Sequence, residues 1–305
     1  MKDDSNGAFY VYGFTQAGLA PETAGAAVAE SGVSPSLFSV GIDEPHPPFF
    51  RRSGRVAAVL SRVAQSEFCG PAGEKNLQDL AWLAPRACRH EAVLEQVMRL
   101  GAVLPARFGT LFSSTASLES FMRKHEDAIC RFLERVAGQE EWAVKGFFDP
   151  ARAEAEWLAR RRSEKPGPAG SPPGLAYLRE QSLRIQAREA LDDRVAQVCG
   201  NLLEELNLLA SDIVPRRIMA HERPDAAREM LLNWALLLPS AAAAVFRGRI
   251  ERANVEQNAG GLALEVSGPW PPYSFCPVLE AEPAGEGAIM EERNHERRAC
   301  ASQRG

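Results

Sequence analysis

The chain has 305 residues, 45% hydrophobic and 25% charged, with a formal net charge of -5 and a pI near 5.7. An acidic balance of this kind excludes a nucleic-acid binder that works by neutralising phosphates. No stretch approaches the ~18 consecutive apolar residues of a membrane span, and the length suggests two domains of about 150 residues each.

Met1-Lys2-Asp3-Asp4-Ser5-Asn6 lacks the apolar core of a signal peptide, so a cytoplasmic protein is expected. Cys69, Cys88, Cys130, Cys199, Cys276 and Cys300 form no C-x-x-C pair and read as free thiols, several of them small core residues.

In chain order, residues 8–14 read as a first strand, with Tyr10, Tyr12 and Phe14 on one face by the two-residue period. Residues 36–42 look like a second strand, closed by Asp43-Glu44-Pro45-His46-Pro47-Pro48. Residues 54–63 fit a third strand or a helical turn. Helical patterning begins at Glu74, breaks at Pro85 and resumes from Cys88 to Leu100, with Val93, Leu94, Val97 and Leu100 as its stripe. Gly101 ends that helix. Residues 103–112 then read as one buried strand.

Ser114-Thr115 supply N-cap candidates for a helix carrying Leu118, Phe121, Met122, Ile129, Phe132, Leu133 and Val136, which ends at Gly138. Residues 141–148 alternate as a further strand. From Asp149 the composition shifts to a charged helix with Arg160-Arg161-Arg162. The Pro/Gly-rich stretch 166–174 follows, a linker or exposed loop. The longest helical pattern covers about 175–209, with Leu191, Val195, Val198, Leu202, Leu206 and Leu209 stepping by three and four. It can pack on a sheet or stand out to pair with another protein.

Residues 212–220 and 230–238 read as strands, and Ser240 caps an Ala-rich helix to about Asn258. Gly260-Gly261 turns into a last strand, 262–266. There Gly268 and Pro269 are expected to stop regular structure. Pro271-Pro272 favours polyproline II, which would project Trp270 and Tyr273 to the same side. This aromatic strap either plugs a groove in its own fold or presents a docking edge. After Glu280 large apolar side chains are scarce, and a disordered tail is expected.

No phosphate loop or nucleophile elbow is present. Cys88 and His90 sit two apart on a helical pattern and so point to different faces, which argues against a metal pair. Asp192-Asp193 and Glu204-Glu205 read as solvated helix-face residues. His221-Glu222-Arg223 is a titratable cluster in a polar loop with nothing to complete a catalytic set. The aromatic first strand invites comparison with RNA-stacking sheets, but the acidic balance weighs against it. Arg107, inside an apolar run, needs a partner if buried; it is either an edge or interface arginine or a partner-binding group. No catalytic, cofactor or metal residue is assigned.

Four stretches carry a resemblance. Ser267-Gly268-Pro269-Trp270-Pro271-Pro272-Tyr273-Ser274-Phe275 at the end of a strand resembles the closing string of the gas vesicle GvpF/GvpL family. The opening strand Phe9-Tyr10-Val11-Tyr12-Gly13-Phe14, the segment Pro105-Ala106-Arg107-Phe108-Gly109-Thr110 and the strand Glu141-Trp142-Ala143-Val144-Lys145 stand in the same order as in that family. Cys276 stands where the family pattern leads one to expect Val.

By residues alone this is a two-domain α+β protein with no recognisable catalytic constellation, and no enzymatic activity is expected. Interleaved strands and helices suggest an N-terminal ferredoxin-like sandwich over 1–150, an arrangement the resemblance also implies; the patterning then gives a charged helix and linker over 151–174, a smaller α+β domain (a ferredoxin-like variant) with long helices over 175–279, and a tail over 280–305. The resemblance implies a minor gas vesicle component that binds the small hydrophobic shell protein GvpA and other gas vesicle accessory proteins, limiting aggregation of GvpA during nucleation. Neither nucleic acid nor lipid membrane is an expected partner, and no cofactor is expected. Partner-binding candidates are Arg107, Phe108, Gly109, Gly268, Pro269, Trp270, Pro271, Pro272, Tyr273 and Phe275. Trp270→Ala is expected to weaken folding, binding or both. The rival reading is a small-molecule enzyme or ligand binder in which Arg107 grips an anion. A scaffold for other vesicle proteins differs from the first reading only in its partner.

Overall fold

The computed structural model describes residues 7–20, 38, 40–164, 172–218, 228–257 and 260–279. Two units are distinguished, Met1–Gly138 with Pro271–Gly305, and Gln139–Trp270. The expected boundary near residue 150 therefore falls at 138, and the chain returns to the first unit at Pro271.

In the first unit β1 (Gly7–Gln16) lies between β3 (Val56–Ala64) and β4 (Val103–Pro105), with β2 (Phe49–Ser53) outside β3 and β5 (Leu111–Phe112) also pairing β1. All pairings are antiparallel, and the order β2-β3-β1-β4 is that of a ferredoxin-like sheet. A bulge between Val11 and Gly13 inserts Tyr12 as an extra residue in β1. The alternation therefore flips. Tyr10 and Tyr12 enter one core with Val59, Val93, Leu94 and Val97, whereas Phe14 leaves that face and stacks on Phe121 at 5.7 Å. The expectation that all three aromatics share a face fails at this bulge.

Helices α1 (Gln65–Phe68), α2 (Gly70–Gln78) and α3 (Leu80–Met98) follow β3. The break lies at Asp79, whose carboxylate accepts from the Ala81 amide, and not at Pro85, which the helix carries near its start. The strand expected over 103–112 is split into β4 and β5 by a turn. Of the strand expected over 36–42, residues 36, 37 and 39 lie outside the described residues, and 38 and 40–42 carry no strand. Helix α4 (Thr115–Val136) opens with a capping box between Ser114 and Ser117 and buries Leu118, Met122, Ile129 and Leu133.

The second unit opens with β6 (Gln139–Phe148), continues through α5 (Pro150–Glu164), α6 (Pro173–Asn207), β7 (Asp212–Pro215) and β8 (Glu229–Pro239), and ends with α7 (Ala243–Gln257) and β9 (Leu262–Trp270). Its antiparallel order, β7-β8-β6-β9, is again ferredoxin-like. β6, expected in the first domain, is central here. It supplies the first strand that the expected helix, strand, strand, helix, strand series lacked. The core joins Trp142, Val144, Leu232 and Leu236 of the sheet to Leu202 and Leu206 of α6 and Phe246 and Ile250 of α7. Pro173 opens α6 because proline is tolerated in a first helical turn. Residues 165–171 of the Pro/Gly-rich stretch, residues 219–220 of the strand expected to 220, His221-Glu222-Arg223, Asn258, the 280–305 tail and Cys300 lie outside the described residues.

Candidate functional site

His90, on α3, is 1% exposed and sits between two phenols. Its Nδ1 lies 2.8 Å from the Tyr10 hydroxyl, and its Nε2 lies 3.1 Å from the Tyr273 hydroxyl. Tyr273 donates to Glu91 Oε1 at 2.8 Å, so it accepts from an Nε2–H imidazole; Nδ1 is then left to accept from Tyr10. The Gly109 amide completes the chain by donating to the Tyr10 oxygen at 3.4 Å. Beside it the Tyr12 hydroxyl meets Ser61 Oγ at 2.9 Å and accepts from the Ile42 amide at 2.6 Å. Phe108 closes the cluster edge-on, 6.0 Å from Tyr10 and 5.9 Å from His90.

Burial sets the protonation states. It pulls His90 down to about 4 against the opposing Ala106 carbonyl. It pushes Tyr12 up to about 12 and Tyr10 well above the usual phenol range. Tyr273 is also raised, by burial first and then by the neighbouring Glu91 charge. Burial raises Glu91 itself, opposed by the Tyr273 hydrogen bond. Near neutral pH the imidazole is thus uncharged and the phenols keep their protons. The His90 imidazole and the Tyr12 phenol are therefore not poised for proton transfer near pH 7. What the arrangement does is hold a segment of chain in place.

That segment is the second half of the strap. Pro271, Pro272, Tyr273 and Phe275 belong to the first unit, where Phe275 is buried and lies 5.9 Å from the Arg135 guanidinium. The polyproline II expectation fails here. Pro272, at φ -75° and ψ 53°, centres an inverse γ-turn in which the Tyr273 amide donates to the Pro271 carbonyl at 2.7 Å, and Tyr273–Phe275 is a 3-10 turn. The first half belongs to the second unit. There β9 runs on through Gly268 and Pro269 to Trp270, contrary to the expected stop, with a cis Gly268–Pro269 peptide. Gly268 has φ +134°, and a Cβ there would meet the Glu141 carbonyl oxygen at 2.9 Å, so only glycine fits without strain. Trp270 is 39% exposed, and its indole donates to Ser267 Oγ at 3.1 Å.

Arg107 is exposed. It opens the turn that splits β4 from β5: its carbonyl accepts from the Thr110 amide at 3.1 Å and the Thr110 hydroxyl at 2.7 Å, and Gly109 takes φ +85°. Arg107, expected within a strand, is therefore a turn residue, and among the described residues no carboxylate pairs with it. It lines neither of two cavities described for the chain. One, of about 510 Å³ in the first unit, has Arg86 bound to Asp43 at 2.9 Å and Arg89 to Glu44 at 2.8 Å. The other, of about 220 Å³ in the second unit, has Arg249 clamped on Glu205. The arginines lining both are already neutralised.

Among the described residues, the most apolar exposed stretch lies elsewhere. The later half of α6 packs its stripe on the second sheet, but Leu175, Tyr177, Leu178 and Ile185 in its first turns are 59–63% exposed. Leu175, Leu178 and Ile185, separated by three and seven residues, share one helical face.

The family model described as "Gas vesicle synthesis protein GvpL/GvpF" matches residues 8–277. The chain belongs to the GvpF/GvpL family. Gas vesicle protein L of Streptomyces sp. (strain CB03234) is 28% identical over 239 residues, covering 77% of this chain and 85% of that protein. Gas vesicle protein F of Dolichospermum flosaquae is 26% identical over 232 residues, covering 72% and 87%. The crystal structure of GvpF from Anabaena sp. PCC7120 superposes with a TM-score of 0.61 at 18% identity, over 90% of this chain and 98% of that one, which shows the shared fold.

Seen in this GvpF/GvpL-family fold, the turn at 107–110 and the strap from Pro271 onward converge on His90. Gly268, Pro269 and Trp270 finish the second sheet beside Glu141 of the fourth motif. Sequence reasoning missed His90, Glu91 and Ser61 as members of the cluster. The tyrosine alternation was the available signal, since buried hydroxyls require partners.

Proposed function

We propose that this gas vesicle protein is an assembly accessory and minor vesicle component that binds the hydrophobic shell protein GvpA and limits its aggregation during nucleation. Family membership supports the gas vesicle role. The observation that carries the finer reading is the exposed face of α6. Leu175, Leu178 and Ile185 project into solvent at the start of a 35-residue helix whose other half anchors in a core. A rigidly rooted apolar helix face suits a partner that must hide apolar surface of its own. The cytoplasm, at the vesicle surface, is the setting this implies. No helix among the described residues is long and apolar enough to cross a membrane.

The strap takes a positioning role in this reading. Tyr273 and Phe275 are committed to the first unit, so they serve the fold, and Trp270 is the strap aromatic left exposed. The test is a pull-down of purified GvpA by the tagged full chain. Retention of GvpA, lost with Leu178→Asp/Ile185→Asp and kept with Arg107→Ala, supports the reading. Failure of the unaltered chain to retain GvpA sinks it.

A further inference from the structure

Among the described residues, β9 forms one side of the second sheet, and no strand pairs with its outer edge. A nine-residue edge strand presents a row of outward amides and carbonyls, which is a template for strand addition by another chain. One side chain interrupts that row. Asn254, on α7, donates from Nδ2 to the Leu264 carbonyl at 2.9 Å, and its Oδ1 accepts from the Leu264 amide at 2.7 Å.

In an extended strand the N–H and C=O of one residue point the same way. A carboxamide therefore satisfies both, as a neighbouring strand would. Leu264 stands opposite Gly146 of β6, yet its polar groups are spent on Asn254, so they face outward and 264 belongs to a non-hydrogen-bonded pair. The regular register from Leu262 to Ser267 then turns the amides of Leu262 and Val266 outward as well. Asn254 sits on the middle position of the three.

We propose that Asn254 closes the outer edge of β9 against strand pairing with a second copy of this chain. The device is local: a helix that already packs on the sheet lends one amide to occupy the site an incoming strand needs first. It is independent of the GvpA reading and stands or falls separately.

The experiment compares the full chain with Asn254→Ala by sedimentation velocity across a concentration series, with circular dichroism to confirm that both are folded. The expected result is a concentration-dependent doubling of mass in the variant relative to the parent. Hydrogen exchange should then slow at the amides of Leu262, Leu264 and Val266 in the associated species. A folded variant whose mass follows the parent at every concentration overturns the proposal. So does association that leaves those three amides unprotected. If Asn254→Ala does not fold, Asn254→Leu is read the same way, because it keeps the volume and removes both the donor and the acceptor that hold Leu264.

Discussion

Acidification acts on the first unit through His90. Burial lowers the folded pKa of His90 from 6.5 to about 4, so the unfolded chain takes up the proton first as pH falls. The stability contributed by the neutral imidazole is therefore complete above pH 6.5 and is lost as pH drops towards about 4. The shift corresponds to roughly 3 kcal/mol over the whole window, of which about 2 kcal/mol is gone by pH 5. Glu91 works in the opposite direction: its raised pKa lets the folded state take a proton first in acid, which offsets part of the loss. The informative comparison is therefore with His90→Gln, which cannot titrate but leaves Glu91 in place. Urea denaturation from pH 7.5 to 4.5 should show the parent losing about 2 kcal/mol more than the variant between pH 7 and pH 5. Imidazole NMR on the full chain should show His90 still uncharged at pH 5. Parallel pH profiles for the two proteins, or an imidazole that titrates near 6.5, would refute the buried neutral histidine.

Two further substitutions test the second unit. Gly268→Ala puts a methyl on a backbone at φ +134° and against the Glu141 carbonyl, and should cost about 1–3 kcal/mol in denaturant unfolding; an unchanged midpoint would show that the end of β9 can relax. Arg216→Met takes the ion-pair partner from Glu141, which is 0% exposed, and should cost about 3 kcal/mol. The same loss should appear on the same scale in a thermal melt, and a neutral outcome would mean that the carboxylate is satisfied without the arginine.

Much of the fold was legible because strong periodicity needs no tertiary knowledge. The stripes of α3 and α4, the alternation of β6 and the Leu202–Leu206 face of α6 all lie where their spacing put them. What failed depends on contacts distant in sequence. Residues 139–148 show a strand, but only pairing with 229–239 assigns it to the second sheet. The bulge at Tyr12, which sends Phe14 to the other face, is set by register against β3 and leaves no local mark. Pro271-Pro272 favours an extended strap by itself; the hydrogen bonds of Tyr273 to His90 and Glu91, 183 and 182 residues away in sequence, accompany a turn there instead. Arg107 sat in an apolar run because that run is two short strands joined by a turn.

The most direct test of the assembly role is co-expression with GvpA followed by sedimentation. Three cultures are compared: GvpA alone, GvpA with the parent chain, and GvpA with Leu178→Asp/Ile185→Asp. Both positions are about 60% exposed, so the double variant should fold as the parent does. GvpA should move from the pellet into a soluble complex with the parent and return to the pellet with the double variant. GvpA that stays in the pellet while the parent chain remains free in the supernatant would contradict it.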